Sequence, residues 1–282
     1  MSHANFWDRL VRGTRWTWLA EPYRSALPAD LESTVMDLES RDRLHAKQGR
    51  STARVHFHTG EGPLTVYLKR HYRLPWRSRL AALLHPSGHH SPAKSEWANL
   101  ERARALGIDV PEVVAAGERI GPWGELQSFL MVAELTGCLP LHEAIPLLAD
   151  GLDRASFGRL KRELIEEMAG ITARLHRARV FHKDLYLCHF YLDMGEPGRV
   201  SGRCRLALID LHRLAEHRLT AAWWRWKDLG QLLFSTMDVA GIDDRDRLRF
   251  WAEYRRWLRL SWPRRQAQIV ALRAERYRAH NR

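Results

Sequence analysis

The segment HKDLYLCHFYL, residues 182–192, carries the most information in this chain. Asp184 is its third residue and lies in a predicted loop directly after a long helical pattern. Asp210 follows at the end of the apolar run LALID, residues 206–210. Phosphoryl transfer uses one carboxylate that orients an acceptor hydroxyl and takes its proton, and another that holds magnesium on nucleotide phosphates. The order and placement of Asp184 and Asp210 fit that chemistry.

The sequence around this segment predicts helices. Before it, apolar residues recur at intervals of three and four and predict one long amphipathic helix. They are Phe157, Leu160, Leu164, Met168, Ile171 and Leu175. After it, WWRWKDLGQLLF (223–234) and RLRFWAEYRRWLRL (247–260) predict the closing helices.

The first half of the chain is richer in strand patterns. Residues 43–70 alternate strand-like runs with turns, which predicts a β-meander. Ser91 and Pro92 form a typical helix start, with Ser at the N-cap and Pro at the first helical position, and the helix should end at Gly107. QSFLMVAEL (127–135) predicts another strand. A β-rich half followed by a helical half indicates two lobes with the chemistry in a cleft between them.

Composition sets limits on the class of protein. The 282 residues carry 45 Lys+Arg against 33 Asp+Glu, a net charge of +12, so the surface should attract anions. Cys138, Cys188 and Cys204 form no CxxC pair, which argues against a disulfide scaffold and a structural zinc site. No run approaches the roughly 18 apolar residues of a spanning helix, and the N-terminus lacks the apolar core of a signal peptide. We therefore expect a soluble or peripheral, cytoplasmic protein.

Four segments together resemble the protein-kinase-like superfamily, and within it the lipopolysaccharide core heptose kinases of the WaaP/InaA type. They are VYLKRHY (66–72), SEWANLERARALGIDVPEVVAAGE (95–118), HKDLYLCHFYL (182–192) and LALIDLHR (206–213). The resemblance implies an α+β, bilobed, protein-kinase-like fold. Its expected parts are an N-terminal basic and aromatic segment (1–39), a β-rich N-lobe (40–135) and a helical C-lobe (136–282).

The resemblance also implies roles for individual residues. Asp184 corresponds to the catalytic base and Asp210 to the metal-binding Asp. Lys69 corresponds to the lysine that contacts the α- and β-phosphates, and Glu96 to its helix partner. Periodicity independently puts Glu96 on the inward stripe of its helix, where a carboxylate needs a cation such as Lys69. The alternatives are a turn residue at 184, a strand-end cap at 210, and solvated charges at 69 and 96.

Other positions have weaker support or depart from the common kinase pattern. His189 stands where most kinase-like proteins place a magnesium-binding Asn; it is either a metal ligand or a hydrogen-bonding core histidine, because imidazole suits magnesium poorly. Gly49 lies in a turn that could cradle phosphates or be an ordinary hairpin turn. Glu134 and Leu135 form the expected connector against the adenine. Asp228 resembles the helix Asp that braces the catalytic loop, with a helix N-terminal charge as the alternative.

The resemblance implies an ATP- and Mg²⁺-dependent kinase that phosphorylates a sugar hydroxyl of lipopolysaccharide core or a related membrane glycolipid. Its partners would be an anionic glycolipid or sugar acceptor and the cytoplasmic face of the inner membrane. A kinase of a soluble small molecule and an inactive kinase-like binding module are the alternatives. Nucleic acid is not expected, since only net charge favours it.

The tryptophan-rich segments have two interpretations. Trp16 and Trp18, near the N-terminus, lie in FWDRLVRGTRWTWL (6–19), which is the better candidate for a membrane-surface segment. Trp251, Tyr254 and Leu258 share one helical stripe, which favours burial in a core.

Overall fold

The structure, a computed structural model, describes residues 7, 11–24, 27, 28, 30–37, 43–47, 49–59, 62–72, 76, 80, 84, 91–120, 126–195 and 205–280. The chain divides into two compact units. Unit 1 comprises residues 1–100 and 111–134, and unit 2 comprises residues 101–110 and 135–282. Over the described residues, no helix combines the length and the apolar composition that crossing a bilayer requires.

Strands dominate the first unit and helices the second. The strands are β1 Thr14–Leu19, β2 Arg43–Lys47, β3 Arg50–Thr59, β4 Gly62–His71, β5 Val113–Ile120, β6 Leu126–Ala133, β7 Cys138–Pro140, β8 Val180–Phe181, β9 Phe190–Asp193, β10 Leu206–Leu208 and β11 Ala215–Glu216. The helices are α1 Leu31–Asp37, α2 Pro92–Ala105, α3 Leu141–Gly151, α4 Arg154–Arg177, α5 Ala221–Ser235, α6 Asp244–Leu258 and α7 Pro263–His280.

Six of these described strands form the main sheet of unit 1, in the antiparallel order β1-β5-β6-β4-β3-β2. Neighbouring residues of a strand point to opposite faces. On one face, Leu68 joins a core with Met131 and with Leu31 and Val35 of α1. On the other face, Lys69 meets α2. The strand register therefore decides which β4 side chain faces the α2 helix.

The N-terminal segment contributes a strand to this sheet. β1 pairs with β5 from Thr14 opposite Ile120 to Leu19 opposite Ala115. The rings of Trp16 and Trp18 lie against Trp97 of α2, at centroid distances of 5.3 and 4.5 Å. Helix α2 therefore covers part of both rings, and the interpretation of this segment as a membrane surface stays a prediction.

Helix α4 is the central element of unit 2. Asp153 caps its N-terminus by accepting from the backbone N–H groups of Ala155 and Ser156. Tyr254 is fully buried. The core of this unit brings together four helices, with members Ala169, Ala173, Leu229, Tyr254 and Val270 and with Trp251 and Leu258 packed against it. The predicted burial of the Trp251, Tyr254 and Leu258 stripe is confirmed.

The predicted local elements are also largely confirmed. Helix α2 begins at Pro92, and Ser91 caps it by accepting from the Lys94 N–H at 3.1 Å. The strands predicted in residues 43–70 and 127–135 are present as β2, β3, β4 and β6. Cys204, named in the sequence analysis, lies outside the described residues.

Candidate active site

A buried carboxylate fixes the loop that carries Asp184. Asp228, fully buried on α5, accepts from the backbone N–H of His182 and from that of Lys183, both at 2.8 Å. Lys183 has a left-handed backbone, with φ of 71°, which a non-glycine residue adopts only when its surroundings hold it there. The bracing role suggested for Asp228 is thus what the geometry provides.

Two further buried groups stand behind Asp228. His176 Nε2 lies 3.3 Å from the carboxylate, and His176 Nδ1 lies 2.6 Å from the Tyr254 hydroxyl. The carboxylate can only accept, so Nε2 donates and Nδ1 accepts from Tyr254. Burial lowers the pKa of His176 and raises that of Tyr254, and both shifts favour the neutral forms that this pattern requires.

Cations and an amide surround the side chain of Asp184. Arg213 donates to Oδ2 at 2.7 Å, and Lys227 Nζ lies 3.9 Å from Oδ1. The Gln231 amide donates to Oδ1 at 3.4 Å. Lys227 also donates to the Lys183 carbonyl, and burial lowers the pKa of its ammonium group. Arg213, Lys227 and Gln231 were not predicted from the sequence. Among them, the position of Lys227 next to Asp228 was the one available signal.

His189 brings Asp184 and Asp210 together. Its Nδ1 lies 2.8 Å from the Asp184 carbonyl oxygen, which can only accept, so Nδ1 carries the proton. Its Nε2 lies 3.7 Å from Asp210 Oδ2. Asp210 has a left-handed backbone with φ of 60°, and its Oδ1 lies 2.6 Å from His212 Nδ1. The His189 ring therefore links the backbone of Asp184 to the carboxylate of Asp210, the two residues singled out from the sequence.

A second histidine, His182, packs against His189. The His182 ring stacks on that of His189, with centroids 5.4 Å apart, and its Nε2 donates to the Ile209 carbonyl at 3.0 Å. The segment that precedes Asp184 is thereby tied to the residue that precedes Asp210. Burial lowers the pKa of His182, so the ring is neutral there.

Unit 1 carries four of the other predicted residues, Lys69, Glu96, Gly49 and Glu134. Lys69 Nζ lies 2.5 Å from Glu96 Oε1, and Glu96 is only 4% exposed. The contact expected from the inward position of Glu96 is present. The carbonyl of Gly49 accepts from the Tyr72 N–H at 2.8 Å, and its φ of 76° fits the turn between β2 and β3.

A second polar cluster lies on the Lys69 face of the main sheet. The Arg54 guanidinium holds the Glu134 carboxylate through two hydrogen bonds of 2.7 and 2.8 Å, and the Tyr67 hydroxyl donates to the same carboxylate at 3.2 Å. These bonds from Arg54 lower the pKa of Glu134. Tyr67 and Lys69 are two residues apart on β4, so their side chains share a face. Leu135 is the first residue of the longer segment of unit 2. Its carbonyl oxygen accepts a hydrogen bond from the Cys138 N–H.

Unit 1 is β-rich and carries a lysine–glutamate pair. Unit 2 is helical and carries a braced Asp loop and a second Asp. Together these features define a kinase-like phosphotransferase. Residues 36–254 match the lipopolysaccharide kinase (Kdo/WaaP) family. The match spans most of the chain, and the protein belongs to this family. The predictions of a kinase-like fold and of a lipopolysaccharide kinase type of enzyme are confirmed.

Similar proteins include lipopolysaccharide core heptose(I) kinases. The chain is 34% identical to the one from Pseudomonas aeruginosa over 244 residues, which are 82% of this chain and 86% of that protein. It is 34% identical to the one from Escherichia coli over 163 residues, which are 57% of this chain and 59% of that protein. A solved structure described as WaaP in complex with acyl carrier protein superposes with a TM-score of 0.69 and 29% identity, covering 93% of this chain and 97% of that one.

Proposed function

We propose that this protein transfers the γ-phosphoryl group of ATP to a hydroxyl of a sugar in lipopolysaccharide core. The observation that carries the proposal is the link that His189 makes between the loops of Asp184 and Asp210: Nδ1 lies 2.8 Å from the Asp184 backbone carbonyl, and Nε2 lies 3.7 Å from the Asp210 carboxylate. The heptose(I) kinase activity of the relatives supports the choice of acceptor. We also infer that the protein acts at the cytoplasmic face of the inner membrane, where ATP can meet a lipid-linked sugar.

Asp184 takes the proton of the acceptor hydroxyl in this mechanism. Its loop is held in place by Asp228, so the carboxylate occupies a fixed position before the acceptor arrives. Arg213 and Lys227 place positive charge beside it, where the oxygens of a transferring phosphoryl group need stabilisation. Lys69, fixed by Glu96, would contact the α- and β-phosphates, while Gly49, Glu134 and Leu135 would lie along the nucleotide.

The residues present fit a magnesium ion that the nucleotide phosphates help to hold. Within the described residues, no group of three or more His, Cys, Asp or Glu side chains is placed to bind a metal alone. Magnesium usually takes one or two protein carboxylates and completes its shell with phosphate oxygens and water. Asp210 would supply the carboxylate, with His189 Nε2 facing the same oxygen. The ion, when bound, would neutralise charge on the phosphates.

The experiment is a transfer assay with γ-labelled ATP, extracted lipopolysaccharide and purified protein. Asp184→Asn should lower turnover by about a hundredfold or more, because it removes the proton acceptor and keeps the side-chain shape. Asp150→Asn, at an exposed position of α3, is the matched control and should be silent. Unchanged turnover in Asp184→Asn would exclude Asp184 from the reaction, and label found only in water-soluble sugars would favour a soluble acceptor.

A second function, binding of acyl carrier protein, is favoured by a cavity in the helical unit. The cavity has a volume of about 480 Å³. Most of its lining is apolar, including Leu164, Met168, Leu229, Leu232, Phe250 and Val270. Its size and lining are those of a small-molecule site and suit an acyl chain. The structural relative described as a complex with acyl carrier protein supports this partner.

A binding assay with acylated and unacylated acyl carrier protein tests this second proposal. The acylated form should bind more tightly, because its chain would occupy the cavity. Ala267→Trp, at a cavity-lining position of α7, should remove the difference between the two forms, while Ala279→Trp, exposed on the same helix, should retain it. Equal binding of both forms to the unaltered protein would exclude an acyl-chain site.

A further inference from the structure

The connection between α6 and α7 presents two tryptophans and several arginines to solvent. We call residues 257–265, WLRLSWPRR, the tryptophan–arginine turn. The rings of Trp257 and Trp262 are exposed to 44% and 79%. By contrast, Trp226 and Trp251 of the same unit pack against the core. Exposed apolar side chains that are grouped together and surrounded by polar residues are typical of an interaction surface.

The backbone of the turn holds the side chains outward at some cost. Arg259 and Trp262 both have left-handed backbones, with φ of 47° and 51°. This conformation is uncommon for a bulky residue such as Trp. Pro263 then starts α7 directly after the exposed ring. Strain combined with exposure indicates that the position of Trp262 serves something other than the packing of the chain itself.

Positive charge surrounds these rings. From Tyr254 to Arg265 the sequence contains five arginines and neither Asp nor Glu. Arg256, Trp257, Leu258 and Arg259 line an open cavity of about 600 Å³ together with Arg177 from the end of α4. Glu253 pairs with Arg256 at one edge of this group. The cavity therefore combines guanidinium groups with an aromatic wall, which suits a phosphate-bearing headgroup.

We propose that the tryptophan–arginine turn docks the protein on an anionic phospholipid bilayer. Tryptophan favours the interface between lipid and water, where its ring is half in an apolar region and its N–H is hydrated. Basic residues next to such rings are attracted to anionic headgroups. The cavity beside Trp257 receives the phosphate of one lipid. This surface holds the enzyme near a lipid-linked acceptor. That use of the surface rests on the proposed kinase function, whereas the binding of the turn to a bilayer does not.

The test is co-sedimentation of the full chain with vesicles, in the absence of nucleotide. Vesicles of neutral phosphatidylcholine are compared with vesicles that also contain phosphatidylglycerol, at low and at physiological salt. The protein should bind the anionic vesicles, and binding should weaken as salt rises. Brominated lipid should quench part of the tryptophan fluorescence, because Trp262 would lie at the depth of the headgroups.

Two variants separate the contributions of ring and charge. Trp262→Ser should lower the partition coefficient and the quenching. Arg256→Gln/Arg259→Gln should lower the partition coefficient about tenfold or more and flatten its salt dependence. Their controls are Leu219→Ser, a fully exposed apolar residue elsewhere in unit 2, and Arg154→Gln/Arg159→Gln, an exposed pair at the opposite end of α4. Circular dichroism confirms that each variant is folded.

The outcomes distinguish a lipid surface from other partners. Equal partition of all variants onto anionic vesicles would overturn the proposal, as would binding to neutral vesicles alone. Loss of binding to acyl carrier protein in Arg256→Gln/Arg259→Gln, with vesicle binding unchanged, would assign the turn to an acidic protein instead. Transfer to a lipid-free fragment of lipopolysaccharide core, assayed separately, reports on the kinase proposal and should be unaffected by these variants.

Discussion

Replacement of the brace carboxylate, Asp228→Asn, tests the organisation of the active-site loop. In the structure, each carboxylate oxygen of Asp228 accepts from a backbone N–H, one from His182 and one from Lys183. An Asn oxygen can replace one acceptor, but the amide NH₂ then faces the other N–H donor. His176 Nε2 also donates to this carboxylate at 3.3 Å. The variant therefore loses at least one of the three bonds, weakens the others and leaves a buried donor without an acceptor.

The magnitude follows from those changes. A hydrogen bond to a charged group contributes about 1.5–3 kcal/mol, and a buried unsatisfied donor costs about 1–3 kcal/mol. Removal of a fully buried charge recovers part of this loss, because the carboxylate no longer has to be desolvated. We expect a decrease of about 2–4 kcal/mol in the free energy of unfolding. The free energy of unfolding of a domain is commonly about 5–15 kcal/mol, so the variant should remain folded at 25 °C.

Urea unfolding and turnover should be measured on the same preparation. The midpoint of unfolding should fall with little change in slope. Turnover should fall by about a hundredfold, since a small displacement of a catalytic group has effects of that order. The control is Asp244→Asn, which removes an exposed carboxylate on α6 and should change stability by less than about 0.5 kcal/mol. If Asp228→Asn lowers the free energy of unfolding by less than about 1 kcal/mol and leaves turnover unchanged, the bracing hypothesis is wrong.

Three other predictions concern separate parts of the chain. Arg70→Met should destabilise the protein by about 2–4 kcal/mol in urea unfolding, because Arg70 is only 1% exposed and donates to Ser51 and to the Val35 carbonyl. Arg54→Ala should raise KM for ATP severalfold with kcat retained, since it releases the Glu134 carboxylate beside the expected base position; an unchanged KM would remove that cluster from nucleotide binding. Burial lowers the pKa of His176 from its usual 6.5, so unfolding takes up a proton in acid. The free energy of unfolding should therefore fall between pH 7 and pH 5, by up to about 1.4 kcal/mol per pH unit, and His176→Gln should flatten this dependence.

Local signals predicted most of the elements. Ser91 and Pro92 mark the start of α2 by their own chemistry, so no distant contact is needed to recognise it. The inward position of Glu96 follows from helical periodicity, and a cation on a neighbouring strand is then required by burial. The loop at Asp184 was identified because an amphipathic helix ends directly before it. In each case the determining residues are close together in the sequence.

Features that depend on distant pairing were missed. Thr14–Leu19 forms a strand only because β5, about a hundred residues later, offers an edge for it. The segment alone contains arginines and tryptophans, which also suit a membrane surface. Arg70 follows Lys69 and has the sequence pattern of a solvated charge, yet it lies beneath the C-terminal carbonyls of α1. Neither outcome could be derived without the three-dimensional arrangement of the sheet.

The cations around Asp184 constrain how the site operates. Arg213 belongs to the turn that begins directly after Asp210, yet it donates to Asp184. Phosphate oxygens near Asp210 would compete with Asp184 for the same guanidinium group. Lys227 is held separately by the Lys183 carbonyl and lies over the Trp224 ring, so it can stay in place while Arg213 moves. We therefore expect the Asp184 carboxylate to become available to an acceptor hydroxyl once a phosphate donor occupies the position beside Asp210.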